Sequence, residues 1–154
     1  MNTRQATPDD ADELILLRAV MLRTFGRDDW NDDWREPARR SLVRRLGAAE
    51  PTLAAFVVDR PEGGGLAACA VGAVEERLGN PHNPEGRVGY VFSVSTHPDM
   101  RRRGYSRACV EALLEWYRDQ GVNSVHLTAS PDGEPLYTSL GFTRTLDPAM
   151  RVRL

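Results

Sequence analysis

Apolar and polar positions change their spacing several times along this chain, and each change predicts an element. The clearest stripe is Tyr105, Ala108, Cys109, Ala112, Leu113, Trp116 and Tyr117. It follows the i, i+3, i+4, i+7 pattern of an amphipathic helix over three turns, and Gly121 stops it. Ala11, Leu14, Leu17, Met21 and Phe25 form an earlier stripe that ends at Gly26. Thr7-Pro8-Asp9-Asp10 announces it: an N-cap hydroxyl, a proline for the first helical position, and carboxylates for the positive end of the dipole. Trp34, Ala38, Leu42 and Leu46 mark a second helix over about Asp32–Leu46, closed by Gly47, with Pro37 in its first turn or at a kink.

Between and around these helices the period falls to two. Strands are expected over Asn2–Ala6, Thr52–Asp59, Leu66–Glu76, Arg87–Thr96 and Val122–Ser130. Val88, Tyr90, Phe92 and Val94 are expected on one face of the fourth. Glu62-Gly63-Gly64-Gly65 reads as a hairpin turn and Gly79–Gly86 as a loop. A short helix is expected over Glu134–Leu140, and one or two short strands within Phe142–Leu154. The order β-α-α-β-β-β-α-β-α-β predicts one α/β domain over residues 1–154, a mixed sheet with helices on its faces.

The chain of 154 residues is long enough to bury a core without disulfides or metal. A formal net charge of −2 argues against a general nucleic-acid binder, which is usually clearly basic. Cys69 and Cys109 lie in separate apolar runs, with no spacing for a metal or a disulfide framework. They read as buried hydrophobes, and no metal is expected. No apolar run reaches the ~18 residues of a membrane span. The polar, acidic start is unlike a signal peptide. A cytoplasmic protein without membrane contact is expected.

The most informative segment is Val94-Ser95-Thr96-His97-Pro98-Asp99-Met100-Arg101-Arg102-Arg103-Gly104-Tyr105-Ser106. Here a strand runs into a basic turn that opens the best helix. The first N–H groups of a helix have no intrahelical partner and carry part of the positive end of its dipole. Such a start binds phosphate. Gly104 lets a phosphate approach without a Cβ in the way. Arginines are unfavourable to the dipole at a helix start, so Arg101, Arg102, Arg103 and Arg107 point to an expected anion. Neither a Walker P-loop nor a Rossmann fingerprint is present.

At these residues the sequence resembles the GNAT superfamily of N-acetyltransferases. The family's pyrophosphate motif, Gln/Arg-x-x-Gly-x-Gly/Ala, reads here Arg101-Arg102-Arg103-Gly104-Tyr105-Ser106, with serine in the last small position. His97-Pro98-Asp99 stands where the family has its proline-containing approach to the loop. Leu136-Tyr137-Thr138-Ser139-Leu140-Gly141-Phe142 matches the Leu-Tyr-x-x-Leu-Gly-Phe signature. The order of elements fits along the whole chain.

The resemblance implies a mixed, mostly antiparallel sheet with helices on both faces and a V-shaped splay between the two central strands. Acetyl-CoA would lie in that splay. Val94, Ser95 and Thr96 would border the pantetheine arm. Residues Arg101, Arg102, Arg103, Gly104, Tyr105, Ser106 and Arg107 would hold the pyrophosphate, with Ser130 on the second cleft strand. Tyr137 resembles the family's tyrosine beside the CoA sulfur. A phenol with a pKa of about 10 keeps its proton at neutral pH and can protonate the leaving thiolate. Glu75 and Glu76 stand where family members often place a carboxylate base, and one of two adjacent strand residues faces the cleft; Glu76 is favoured. His97 at the strand–loop junction is a further candidate base but reads as structural. Asp28-Asp29-Trp30-Asn31-Asp32-Asp33-Trp34 would wall the acceptor pocket.

The expected activity is direct transfer of an acetyl group from acetyl-CoA to a primary amine of a small molecule. A protein acetyltransferase acting on a lysine or an N-terminus, and an inactive acyl-CoA-binding module, are the alternatives. Oligomeric state is open, a homodimer included.

Overall fold

The computed structural model describes residues 2–26 and 28–154. Five strands form one sheet in the order β1-β2-β3-β4-β5. They are β1 (Thr3–Gln5), β2 (Leu53–Asp59), β3 (Leu66–Glu76), β4 (Arg87–Thr96) and β5 (Val125–Leu127). The first three pairings are antiparallel, and β4 with β5 is parallel. The expected mixed, mostly antiparallel sheet is therefore present.

Helices cover both faces. On one lie α1 (Ala11–Arg23) and α2 (Arg35–Leu46). Leu14 and Leu17 pack there against Val57, Cys69 and Val71, with Leu42 and Leu46 at the margin. On the other lies α3 (Tyr105–Asp119), whose Cys109, Val110, Leu113, Trp116 and Tyr117 meet Ala68, Ala70 and Val91. The short α4 (Glu134–Ser139) adds Tyr137 to that side, and Leu140, just beyond the helix, packs there too.

Helix starts follow their local chemistry. The Asp10 carboxylate accepts the Thr7 N–H at 2.8 Å, and a 3₁₀ turn over Pro8–Asp10 leads into α1. Pro37 sits in the first turn of α2, where its missing N–H costs nothing. The α1 stripe is shorter than its spacing implied. The helix stops at Arg23, and Phe25 is exposed beyond it.

The largest departure lies in β4. Val71 pairs with Ser93 but Gly72 pairs with Val91, so Phe92 is an extra residue that opposes nothing on β3. A bulge of this kind reverses the alternation beyond it. Tyr90, opposite Ala73, faces the α1 side, whereas Val94, opposite the α3-packed Ala70, faces the other. The four residues expected on one face are thus divided between two.

Two expected strands are also shortened or lost. The strand read over Val122–Ser130 is paired only over Val125–Leu127. Val122 packs beneath α3 instead, and Ser130 opens the turn into α4. No strand forms within residues 143–154, and Leu146, Met150, Val152 and Leu154 are exposed. Met150, Val152 and Leu154 alternate with arginines as a strand requires. A strand also needs a neighbour, and this segment has none. β5 is consequently the last strand in the order.

Tyr117 fastens α3 to the sheet. Its ring lies over Gly72 and Gly89, where an added Cβ would come within 2.2 Å of the hydroxyl oxygen and 2.7 Å of the ring respectively. Its hydroxyl lies 3.0 Å from the Ala73 carbonyl and 3.2 Å from that of Tyr90. Burial raises the phenol's pKa above the ordinary range, so it remains a donor. Tyr117→Phe removes this bond and strands buried acceptors. We expect it to lower the unfolding free energy by about 1–3 kcal/mol, measured by urea denaturation, with an unchanged m-value.

Candidate active site

β4 and β5 pair only through Gly89↔Val125, Tyr90↔His126 and Val91↔Leu127. Beyond Val91 the bulge turns β4 away, and its last five residues run without a neighbour on that side. The His97 N–H bonds to the Ala67 carbonyl on β3 at 3.0 Å. In an antiparallel ladder the bonding direction alternates. Ser95 and Ser93 therefore face β3 through their backbones, while Val94 and Thr96 direct theirs into the gap. The Arg101 Nε–H reaches the Thr96 carbonyl from the gap side at 3.4 Å. The result is a strand edge ready to pair with an extended, amide-bearing chain. Ser95, expected in this set, is not brought into it. Its side chain, 6% exposed, lies on the α1 face opposite Cys69.

At the far end of the gap a 3₁₀ turn over Pro98–Met100 leads into the basic turn. Arg102 has φ 63° and Gly104 φ 78°, both left-handed. Gly104 is the N-cap of α3 and has no side-chain cap. The first bond of the helix runs from the Ala108 N–H to the Gly104 carbonyl. The N–H groups of Tyr105, Ser106 and Arg107 are therefore available to a ligand. No acidic residue stands in the first turn to compete. Left-handed residues in such a turn aim backbone N–H groups into a shared concavity. Arg101, Arg102 and Arg103 are exposed around it. The Ser106 hydroxyl is hydrogen-bonded to that of Thr96, which ties the helix start to the strand end. Arg107 is less free than its spacing implied: it bonds to Glu111 at 3.1 Å and to the Ser139 hydroxyl at 2.6 Å, joining α3 to the end of α4.

Tyr137 projects from α4 into the apolar cluster that holds Val91, Val94 and Leu127, the residues bordering the gap. Its ring stands edge-on to Phe142, with centroids 5.8 Å apart. Burial raises its pKa above the ordinary tyrosine value, with no hydrogen bond contributing. The hydroxyl is a protonated donor without a fixed partner among the described residues.

Other expected residues lie elsewhere. Glu76 pairs in register with Arg87 at the start of β4. Four residues separate that level from Val91, which is about 13 Å of strand. Glu75, one level nearer, is held by Arg77 at 2.9 Å. The structure brings neither carboxylate to the gap. The hydroxyl of Ser130 accepts the Gly133 N–H at 3.1 Å and caps the turn into α4. His97 is the N-cap of the 3₁₀ turn. In the Asp28–Trp34 stretch, Asp32 is paired with Arg35 at 2.8 Å. Arg23 lies over the Trp30 ring at 4.2 Å and Arg35 over that of Trp34 at 5.4 Å. Those guanidinium groups occupy ring faces that a cationic acceptor would use.

The α1 side of the junction holds residues that spacing did not single out. Tyr90 and His126 share a level on adjacent strands, and the Tyr90 hydroxyl is 3.2 Å from that of Thr128. A cavity of about 510 Å³ lies beside them, lined by Leu78, Asn80, His82, Val88, Ser124 and His126. The Gly79–Gly86 loop supplies part of its wall. The one signal in the sequence was a lone histidine between Val125 and Leu127 in a strand. Its position beside the junction depends on the β4–β5 register. Neither cysteine takes part: both are wholly buried, and burial pushes the Cys69 thiol up to about 12 and raises that of Cys109 as well. Among the described residues, no three potential ligands cluster for a metal, and no helix is long and apolar enough to cross a membrane.

Known structures share this fold. A predicted acetyltransferase from Clostridium acetobutylicum, solved with acetyl-CoA, superposes with a TM-score of 0.85 over 98% of this chain and 95% of its own, at 23% identity. A GCN5-related N-acetyltransferase from Ralstonia eutropha JMP134 does so with a TM-score of 0.84 over 98% and 97%, at 25% identity. An aminoglycoside N-acetyltransferase in complex with CoA reaches 0.75 over 99% and 93%, at 17% identity, a likeness of fold alone. No curated protein matches the chain in sequence. The model of the acetyltransferase (GNAT) family matches residues 20–142, which include the bulged strand, the arginine–glycine turn and Tyr137. With four-fifths of its length matched and the family's splayed strands in place, the chain belongs to the GNAT family of acetyltransferases.

Proposed function

We propose that the chain transfers an acetyl group from acetyl-CoA directly to the primary amine of a small molecule. The observation that carries this reading is the unpaired edge of β4 running from the junction at Val91 to the uncapped start of α3. That edge suits a pantetheine arm in its chemistry: Val94 and Thr96 offer backbone groups to its amides, and the turn from Arg101 to Ser106 offers N–H groups and charge to its pyrophosphate. The thioester end then falls where the strands part, beside Tyr137.

In the reaction the amine nitrogen attacks the acetyl carbonyl carbon. A C–N bond forms, the C–S bond breaks, and the departing sulfur takes a proton from the Tyr137 hydroxyl. The nitrogen's surplus proton leaves to water, since neither Glu75 nor Glu76 reaches the junction. Water then restores the Tyr137 proton. Both thiols of the chain are buried, which favours direct attack over an acylated cysteine.

A small acceptor is favoured by the cavity beside His126. Its volume of about 510 Å³ lies within the range of small-molecule pockets. A screen of amines with acetyl-CoA, followed by mass measurement, should yield a product heavier by one acetyl group. Acetylation of peptides with no small amine turned over would replace the acceptor class. Tight CoA binding without turnover of any amine or peptide would make the chain a binding module.

A further inference from the structure

Arg18 lies on α1 against the bulge of β4, and nothing in the proposed chemistry uses it. It is partly buried, and its Nη1 approaches the Phe92 carbonyl at 3.5 Å, the outer limit of a hydrogen bond. A guanidinium carries five N–H donors in a planar fork. The remaining donors have no partner among the described residues, and no carboxylate pairs with the group. Desolvation lowers its pKa. A partly buried arginine without a counter-ion is costly, and proteins ordinarily supply one. Other arginines of this chain illustrate the contrast: Arg4, Arg35, Arg39 and Arg60 each hold an aspartate within 3 Å.

The place of Arg18 in the fold indicates where the missing anion comes from. Phe92 is the extra residue of β4, next to Val91, where β4 and β5 part. On the α3 face that junction is closed by Tyr137 and Leu140. On the opposite face stand Arg18, the buried Ser93 and Ser95, and Tyr90. An amine approaching the thioester comes from that face, and a negatively charged group on the same molecule would meet Arg18.

We infer that Arg18 is a specificity-determining residue that binds a carboxylate of the acceptor, so that the preferred acceptors are amines of the amino-acid class. The planar fork suits bidentate recognition of a carboxylate, which selects geometry as well as charge. This rests on the acetyl-transfer reading above and narrows its acceptor.

The test uses matched acceptors that differ only in the anion: γ-aminobutyrate against γ-aminobutyramide, phenylalanine against phenethylamine, and lysine against diaminopentane. Initial rates by thiol release give KM and kcat for each with the native protein and with Arg18→Gln and Arg18→Met; the second keeps an apolar stem against β4. With the native protein, the carboxylate-bearing member of at least one pair should have a KM lower by about 10–100-fold, the value of a hydrogen bond to a charged group. Both substitutions should erase that preference while leaving the KM for acetyl-CoA and the rates with the carboxylate-free partners within about threefold. Equal use of both members by the native protein overturns the inference without needing any variant. So does an equal loss on both members in folded variants, which would make Arg18 a prop for the Phe92 carbonyl. If no amine in any pair is acetylated although acetyl-CoA binds, this inference is overturned, and the acetyl-transfer reading stands or falls separately on the wider screen of amines and peptides.

Discussion

Tyr137→Phe should lower kcat by about 10²–10⁴-fold, the usual contribution of a positioned general acid, and leave the KM for acetyl-CoA nearly unchanged. The ring keeps its place in the apolar cluster and its edge-on contact with Phe142. The hydroxyl contributes no hydrogen bond to the fold among the described residues, so stability should change little. The lost group is the proposed proton donor, on a residue packed with Val91, Val94 and Leu127. Its pKa is raised by burial, and the protonated form is the active one. The plateau of kcat should therefore extend to higher pH than a free tyrosine, with its pKa of about 10, would allow. In Tyr137→Phe that alkaline limb should disappear. Single-turnover measurement is the decisive form of the experiment, because slow product release would conceal a loss in the chemical step. A variant within about threefold of the native single-turnover rate would remove Tyr137 from the mechanism.

Gly104→Val should weaken acetyl-CoA binding by roughly two to three orders of magnitude, the equivalent of one or two lost bonds to a charged group. Two effects act together. At φ 78° the glycine occupies a left-handed conformation that costs an L-residue about 1–2 kcal/mol and a β-branched one more. Relief of that strain rotates the peptide units that aim N–H groups into the turn. The valine methyls would also stand where, in the proposed site, phosphate oxygens approach the uncapped start of α3. The rest of the helix is held independently, by the Ser106–Thr96 bond at one end and by Tyr117 at the other. Native circular dichroism and cooperative melting should therefore survive. Titration calorimetry with acetyl-CoA, set beside Gly104→Ala as the milder change, reads the effect. Native affinity in a folded Gly104→Val would place the pyrophosphate elsewhere.

The chemistry-bearing segments were legible because their signals are local. The Tyr105–Tyr117 stripe, the glycine at the helix start and the arginines before it act within a few residues of one another. Helical periodicity and unpaired N–H groups do not depend on distant parts of the chain. The same holds for Tyr137, placed by a short helix and its following glycine. These features sufficed for the family, and they carry the cofactor end of the proposed site.

Tertiary structure decided the acceptor end. Nothing in the alternation of Val88, Tyr90, Phe92 and Val94 announces a bulge. It arises from how β4 pairs with β3, and it turns Val94 to the opposite face from Tyr90. The same pairing sets Glu76 about four residues of strand from the junction, and the β4–β5 register puts the cavity-lining His126 level with Tyr90. It also brings Arg18, some seventy residues distant in sequence, to the Phe92 carbonyl. The strand expected beyond Phe142 failed for a related reason: its residues alternate correctly, but alternation makes a strand only where a partner edge accepts its hydrogen bonds. Helices and caps satisfy their backbone groups close by in sequence. Strands satisfy theirs across the fold, so register, bulges and the residues they bring together belong to the assembled sheet.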